Sequence, residues 1–395
     1  MSEKKNLLIG VSGGIAAYKV CEIASYFTKK GVNVNVVMTE HAAEFVAPLT
    51  FEALTKNPCL SSLFDGKSSD PVAHVTLGKN ADAVLIAPAT ANVIAKLANG
   101  IADDMLTTTV LAASCKKLVA PAMFTGMYEN PATQRNIEQL RNDGFEIIEP
   151  ECGRLACGAI GSGRLADIKT LISATEEALF GDETLEGKRV LVTAGATRED
   201  IDPVRYITNH SSGKMGYAIA KAAKAMGANV ELISGITALD LPYGVNTFFA
   251  KSAEDMFNLV SERAENADII VMSAAVADYT PETKSDQKIK KSDGEMVLNL
   301  ERTKDILAFL GEHKKKGQIL VGFSMETENL LENSRKKLTK KNADMIVANS
   351  ISSEGTGFGV DTNAAVLITK DDETKTDIIP KEELAKIILK KAAEI

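Results

Sequence analysis

LLIGVSGGIAAYKVCEIASYFTKKGVNVNVVMT, residues 7–39, decides the fold. A β-branched run (7–11) enters a turn of small residues. A helical pattern follows, with Ile15, Val20, Ile23, Ala24 and Phe27 on one face. Gly31 stands where a left-handed C-terminal cap belongs, and VNVNVVMT then reads as a second strand. Strand, helix and strand in this order need a crossover, so the two strands run parallel. AVLIAP (83–88), KLVAPA (117–122) and FEIIEP (145–150) continue the sheet.

The pattern starts again at KRVLVTAG (188–195), followed by the helix YAIAKAAKAMG (217–227). NVELISG, ADIIVMSAA, QILVGFS, ADMIVAN and AAVLIT supply further strands. The expected fold class is therefore α/β: two consecutive Rossmann-like (flavodoxin-like) domains, each a parallel sheet with helices on both faces. The charged GDETLEGK (181–188) is the expected boundary, giving domains at 1–180 and 188–395 with a linker at 181–187.

A chain of 395 residues suits two cores of this size. Acidic residues outnumber basic ones, 53 to 45, for a net charge of −8, which argues against non-specific binding to nucleic acid or an anionic membrane. No run approaches the ~20 apolar residues of a membrane span, and the N-terminus lacks a signal-peptide stretch. The five cysteines are odd in number and scattered, and Cys152 with Cys157 forms a C-x₄-C without a second pair, which does not suit zinc. The expectation is a reduced, cytoplasmic enzyme with small-molecule substrates, no nucleic-acid partner and no membrane.

Ligands of doubly wound sheets sit beyond the carboxyl ends of the strands. GVSGGIAAYK (10–19) offers a small-residue turn and a helix N-terminus for a phosphate, with the Ser12 hydroxyl beside it. It is not G-x-G-x-x-G, and the second strand ends in Met38-Thr39 rather than an acid, so a mononucleotide fits better than a dinucleotide. LACGAIGSGRLAD (155–167) holds Gly158, Gly161 and Gly163, so neither helix nor strand is expected to persist there, and Cys157 is either a thiol kept for chemistry or an idle loop residue.

In the second half, TAGATREDIDPVRYITNHSSGKMG (193–216) is a connection longer than a strand–helix link needs. It fails the Walker pattern, since Met215 follows Lys214, yet its amides and Arg205 suit an anion. Asp278, ending SAAVAD, is either a Mg²⁺ ligand or a helix cap. Lys288, Lys290 and Lys291 in KSDQKIKKSDGEMVLNL (284–300) form either a solvated loop or a cationic cover for a triphosphate.

SGGIAAYK, MTEHA, PLTF, APATANVIAK, GIADD, PAM…MYENPATQ and LACG…G.GRL resemble the flavin-dependent cysteine decarboxylases. More closely, they resemble the first half of the bifunctional phosphopantothenoylcysteine decarboxylase/phosphopantothenate–cysteine ligase family. The second-half strings, with ERTKDIL, VGFSMET, SRKKLTKKNADMIVAN and GFGVDTN, are similar to its ligase half, so the resemblance runs from residue 7 to about 370. It implies two steps of coenzyme A synthesis. CTP activates 4′-phosphopantothenate as an acyl-cytidylate that cysteine captures, and an FMN-dependent decarboxylation then gives 4′-phosphopantetheine.

The resemblance implies Cys157 as proton donor and His74 as the active-site histidine. FMN would be held by Gly10, Ser12, Gly13, Gly14, Thr39, Pro88, Thr90 and Asn92. In the ligase half it implies Asn209 holding the acyl intermediate, Arg205 close by, Lys288 on the phosphates and Asp278 carrying Mg²⁺. CTP contacts would come from Met272, Ser273, Ala274, Asp278, Lys288, Lys304, Asp305, Ile306, Leu307, Phe323, Lys337 and Lys341. It further implies a homo-oligomer, with trimeric decarboxylase halves and dimeric ligase halves building a larger assembly, up to a dodecamer.

One departure matters. Phe124 and Tyr128 stand where the family has Asn and Trp. Phe removes the amide's donors and acceptor at a position that orients the substrate carboxylate, unless Thr125 substitutes. The alternative expectation is an active ligase fused to an FMN-binding half with weakened or lost decarboxylation. A non-catalytic flavin-binding subunit and a nicotinamide oxidoreductase rank below both.

Overall fold

The structure, a computed structural model, describes residues 4–64, 70–156, 158–290, 296–326, 329–350, 357 and 359–395. It divides into two compact units, Met1–Gly181 and Asp182–Ile395.

The first unit begins with β1 (Asn6–Val11), α1 (Ala17–Lys29), β2 (Asn33–Met38), α2 (Glu40–Ala43), α3 (Pro48–Thr55), β3 (Cys59–Leu60), α4 (Ala73–Asn80) and β4 (Ala83–Ala89). It continues with α5 (Ala91–Ala98), α6 (Met105–Ala112), β5 (Lys116–Pro121), α7 (Thr125–Tyr128), α8 (Pro131–Asn142), β6 (Phe145–Ile147), β7 (Glu151–Arg154), β8 (Ile160–Arg164) and α9 (Ile168–Phe180). Six strands pair in the order β3-β2-β1-β4-β5-β6, all parallel. β4 is buried along its whole length, as a strand covered on both faces must be. Leu8, Val84, Ile86 and Val119 pack against Val93 and Ile94 of α5, Leu106 and Val110 of α6, and Ile137 and Leu140 of α8. Helix α1 buries Ala17, Val20, Ile23, Ala24 and Phe27. Ile15, expected on that face, instead lies in the turn before the helix and is 59% exposed.

The second unit holds β9 (Arg189–Ala194), β10 (Arg198–Asp200), β11 (Tyr206–Thr208), α10 (Lys214–Ala225), β12 (Asn229–Ser234), β13 (Asn246–Phe249), α11 (Ala253–Ala264) and β14 (Ile269–Met272). There follow β15 (Tyr279–Pro281), β16 (Leu300–Arg302), α12 (Ile306–His313), β17 (Ile319–Glu326), α13 (Leu330–Lys340) and β18 (Met345–Ser350). β19 (Thr362–Asn363), β20 (Ala365–Thr369), β21 (Glu373–Lys375), β22 (Ile379–Pro380) and α14 (Lys381–Ala393) close the chain. The main sheet is β13-β12-β9-β14-β17-β18-β20-β21. Alternate residues feed opposite cores: Val190, Val192 and Val271 face α10 and α14, while Leu191, Ile270 and Met272 face α11, α12 and α13.

Two expectations need correction here. The second sheet is not wholly parallel, because β20 runs antiparallel to its neighbours β18 and β21. The three residues between β20 and β21 leave room only for a hairpin, which reverses the chain. Residues 155–167 do carry a strand: β8 pairs antiparallel with β7. Gly158, at φ +87°, makes the tight turn between them, Gly161 pairs with Gly153, and Gly163, at φ +106°, falls where the register shifts.

Candidate functional site

In each unit the strand order reverses beside the first strand, at β1/β4 and at β9/β14. Neighbouring connections leave there in opposite directions and open a crevice.

At the first crevice the turn after β1 comes very close to α2. A Cβ on Gly13 would lie 2.5 Å from His41 Cβ, so only glycine fits. Ala16 offers α1 no side-chain cap, although Ala17 N and Lys19 N are bonded to Gly14 O and Ala16 O at 2.9 Å and 3.1 Å. Thr39 and Thr90 cap α2 and α5 as acceptors from Ala42 N and Val93 N. Ser12 behaves otherwise than expected. Its side chain is fully buried, donates to Pro88 O at 2.6 Å and accepts from Thr90 N at 3.0 Å. It fixes the spacing of the two loops rather than reaching a phosphate. Gly10 lies inside β1, where its missing Cβ admits Leu106 of α6. Asn92 is exposed on α5, and the half-buried His74 sits in the first turn of α4.

The β7–β8 hairpin is bound to the same end of the sheet. Ala122 N donates to Ala89 O at 3.0 Å and Met123 N to Gly163 O at 2.9 Å. Thr125 Oγ1 donates to Ser162 O at 2.7 Å, and Ser162 Oγ to Glu129 Oε1 at 3.0 Å. Cβ atoms on Gly161 or Gly163 would run into Thr125 Oγ1 or the Met123 carbonyl. Cys157, between β7 and β8 in the sequence, lies outside the described residues. Phe124 is 52% exposed at the start of α7 and makes no capping bond. Thr125 cannot donate in its stead, because its one proton already goes to Ser162 O. The acids of GIADD are structural: Asp104 caps α6, and Lys96 bonds Asp103 at 2.6 Å and Asp104 at 2.9 Å.

Tyr128 props the Phe124–Tyr128 turn by donating to Glu149 Oε2 at 2.7 Å. Burial, then the bond to Glu149 and its charge, push the phenol up to about 12 against smaller opposing effects of Gln134 and Arg141. A raised folded pKa means stability that is complete below about pH 10 and is lost as pH rises towards 12. Ultraviolet titration is expected to show a tyrosinate component near pH 12 that Tyr128→Phe removes.

The second crevice is an open cleft in two adjoining parts. One, of about 280 Å³, is lined by Ser211–Gly216, Ser273–Val276, Asp278, Phe323, Lys337, Asn349, Asn363 and Lys381. The other, of about 460 Å³, is lined by Met272, Ala274, Asp278, Arg302–Leu307, Phe323, Lys337 and Lys341. Gly216 lets α10 start directly on β9, since a Cβ there would lie 2.5 Å from Ala194 Cβ. Gly213 precedes α10 with no side-chain cap. Thr193 Oγ1 accepts from Ala274 N at 3.1 Å and Thr197 Oγ1 from Ala277 N at 3.0 Å, which shapes the strand-end segment that Asp278 closes. Asn209 Nδ2 reaches Ala275 O at 3.2 Å and Val276 O at 3.4 Å, leaving its oxygen as an acceptor.

The cleft therefore gathers Met272, Ser273, Ala274, Asp278, Lys304, Asp305, Ile306, Leu307, Phe323, Lys337 and Lys341, with Asn209 on its strand-end segment. Lys337 Nζ donates to Phe323 O at 2.8 Å, Lys304 pairs with Glu254 at 2.8 Å, and Lys341 pairs with Asp305. Burial pushes Asp305 up, but the Lys341 bond, the Ala308 amide and the Lys341 and Lys337 charges together hold it below the usual carboxylate range. Lys381 is buried and donates to Gly357 O at 3.0 Å and Val360 O at 2.5 Å. Burial, then the Lys214 charge, lowers its pKa against a weaker pull from Asp361.

Two expected participants stand apart. Lys288 is exposed and lines neither part of the cleft. Arg205 is paired within the chain: its Nε and Nη2 lie 3.0 Å and 2.6 Å from Asp202 Oδ2. Lys291 lies outside the described residues. Thr193, Thr197, Asp202 and Lys381 were missed, because nothing in a sequence distinguishes a buried polar residue with a distant backbone partner from an ordinary loop residue. Among the described residues no cluster of three His, Cys, Asp or Glu side chains could hold a metal, and no helix is long and apolar enough to cross a membrane.

Fold and crevices define an α/β protein of two mononucleotide-type units in series. Residues 1–180 match the family described as Flavoprotein, and 185–395 the DNA/pantothenate metabolism flavoprotein C-terminal domain. Coenzyme A biosynthesis bifunctional protein CoaBC of Bacillus subtilis is 51% identical over 375 residues, 94% of this chain and 92% of the relative. The protein of that name from Vibrio vulnificus is 44% identical over 388 residues, 98% of this chain and 96% of its own. The solved FMN-dependent cysteine decarboxylase SpaF is 40% identical, covering 44% of this chain and 94% of that chain at a TM-score of 0.39. The chain belongs to the family of coenzyme A biosynthesis bifunctional proteins.

Proposed function

We propose that the chain is a bifunctional enzyme that joins 4′-phosphopantothenate to cysteine at the expense of CTP and then decarboxylates the product to 4′-phosphopantetheine. One observation carries this reading: relatives named as bifunctional proteins of coenzyme A biosynthesis align along both units, and each unit has its own crevice at its own strand-order reversal. We assign the ligase to 188–395 and the decarboxylase to 1–180, with 181–187 between them.

In the ligase unit, the phosphopantothenate carboxylate attacks the α-phosphorus of CTP. Pyrophosphate leaves, and an acyl-cytidylate remains. The cysteine amine then attacks the acyl carbon and CMP departs. The amides at residues 214–216, at the start of α10 and without a side-chain cap, suit the phosphate of phosphopantothenate. Lys337 and Lys341 suit the nucleotide phosphates, and Phe323 with the 304–307 segment suits ribose and base. Asn209, its Nδ2 fixed on Ala275 O and Val276 O, would hold the acyl intermediate through its remaining oxygen. A lone Asp278 carboxylate fits Mg²⁺ as that ion commonly binds, through one protein oxygen with the rest from phosphate and water.

In the decarboxylase unit, the turn 12–16 and the uncapped α1 suit a flavin mononucleotide phosphate. Thr39 and Thr90 offer hydroxyl protons, and Pro88 and Asn92 border the crevice. The flavin supplies the two-electron chemistry on the substrate thiol that lets CO₂ leave. Cys157 donates the final proton, and His74 assists at the substrate. The assembly is a homo-oligomer, with trimeric decarboxylase and dimeric ligase units up to a dodecamer, acting in the cytoplasm.

Mass spectrometry of products from 4′-phosphopantothenate, cysteine, CTP and Mg²⁺ tests the reading. Phosphopantetheine with CMP is expected, and no CMP would sink it. Phe124→Asn restores the missing cap and amide. It is expected to raise the thermal midpoint through a gain of about 1 kcal/mol and to speed decarboxylation, with CMP formation unchanged.

A further inference from the structure

Asp202 is the odd residue of the second unit. Its side chain is fully buried in a surface connection, a position where a carboxylate survives only if it is well supplied with donors. Oδ1 accepts from Val204 N and Arg205 N, both at 2.8 Å. These two bonds are what a turn at Asp-Pro requires, and for the turn alone they would suffice. Oδ2 does something further. Besides Arg205 Nε and Nη2, it accepts from Ile289 N at 3.2 Å, and Arg205 Nη2 donates to Ile289 O at 3.0 Å. An ion pair thus grips both backbone groups of one residue, 87 positions along the chain.

The grip is not isolated. Ser285 N donates to Ile201 O at 3.0 Å, and Lys284 pairs with Asp200 at 2.7 Å, beside Lys251 on the same carboxylate at 2.5 Å. Residues 284–289 are therefore tied to the 200–205 connection at both ends. The untied middle carries Gln287 and Lys288. Three residues beyond Arg205, Thr208 Oγ1 bonds Thr197 O at 2.7 Å, and Asn209 reaches Ala275 and Val276. The connection that sets Asn209 on the strand end also sets the backbone from which Lys288 projects.

We propose that Asp202, through Arg205, is a positioning residue that fixes the backbone at Ile289 and so aims Lys288 for the CTP-dependent half of the ligase reaction. The proposal rests on the ligase reading above. It also reassigns Arg205, whose planar fork serves carboxylate and carbonyl together as an ammonium does not. Lys288 is the group that meets phosphate; Asp202 and Arg205 act through it.

The test uses the full chain and two separate half-reactions: pyrophosphate released from CTP with 4′-phosphopantothenate, and CMP released when cysteine meets synthetic phosphopantothenoyl-cytidylate. Asp202→Asn, Ile289→Pro, Lys288→Gln and the double variant Asp202→Asn/Lys288→Gln are compared. Ile289→Pro deletes the N–H that Asp202 holds, on an exposed segment, and decides the matter if Asp202→Asn fails to fold. Each of those two single variants is expected to slow pyrophosphate release by roughly 10–100-fold and to leave the cysteine step within about twofold. The double variant is expected to be no slower than Lys288→Gln alone, because a positioner has no effect once its target is gone. Equal loss in both half-reactions, multiplying losses in the double variant, or faster pyrophosphate release would overturn the proposal. A wild-type enzyme that releases no pyrophosphate overturns the ligase reading itself, before any variant is compared.

Discussion

Gly163→Ala is expected to abolish decarboxylation while amide formation proceeds untouched. Gly163 sits at φ +106°, a conformation that side chains with a Cβ resist, and the added methyl would collide with the Met123 carbonyl. Met123 N holds Gly163 O at 2.9 Å, so that bond cannot lengthen without releasing the hairpin that leads to Cys157. Strain of this kind costs roughly 1–3 kcal/mol. The larger effect is on geometry, because displacing the proton donor proposed above by an ångström would lower the rate by about 10²-fold. Supplying ready-made phosphopantothenoylcysteine and following CO₂ measures the loss, and CMP release in the same preparation reports on the other unit. Equal CO₂ production by variant and wild type would show that the hairpin's seat is unimportant.

Asn209→Ala is expected to have the opposite signature. The substitution removes the amide whose nitrogen reaches Ala275 O and Val276 O on the strand-end segment, and with it the oxygen proposed to hold the acyl intermediate. Loss of one preorganised polar group at a reacting centre costs about 10²–10³-fold, so CMP-linked amide formation should nearly vanish. Flavin absorbance and the decarboxylation of supplied phosphopantothenoylcysteine should match wild type. A variant that keeps its ligase rate would remove Asn209 from the reaction.

The sequence makes the architecture readable because buried parallel strands announce themselves. AVLIAP and RVLVTA are apolar on both faces, which only a sheet covered on both sides allows. It is less informative where backbone pairing outweighs side-chain pattern. Ile160–Arg164 is a strand despite two glycines, because β7 lies opposite and the Met123–Thr125 loop requires residues without Cβ. AAVLIT reads as one more buried strand, and its antiparallel direction is set by the short turn that follows. The motif residues Phe323, Lys337, Lys341 and Asp305 do meet at one cleft. Ser12 and Arg205 were visible as polar residues in the right loops, yet their partners, Pro88, Asp202 and Ile289, are distant in sequence and carry no pattern.

The bonds from Ser12 to Pro88, Ala122 to Ala89 and Met123 to Gly163 run in series across the end of the first sheet. Each joins loops that a chain without them would have to order afresh with every substrate bound. Fixing several residues costs about 1–2 kcal/mol each in conformational entropy. Here that loss is taken once, at folding, and is not charged again during turnover. Substrate binding energy is thereby left for the reacting centre, and the flanks of the hairpin act as a bracket of constant stiffness.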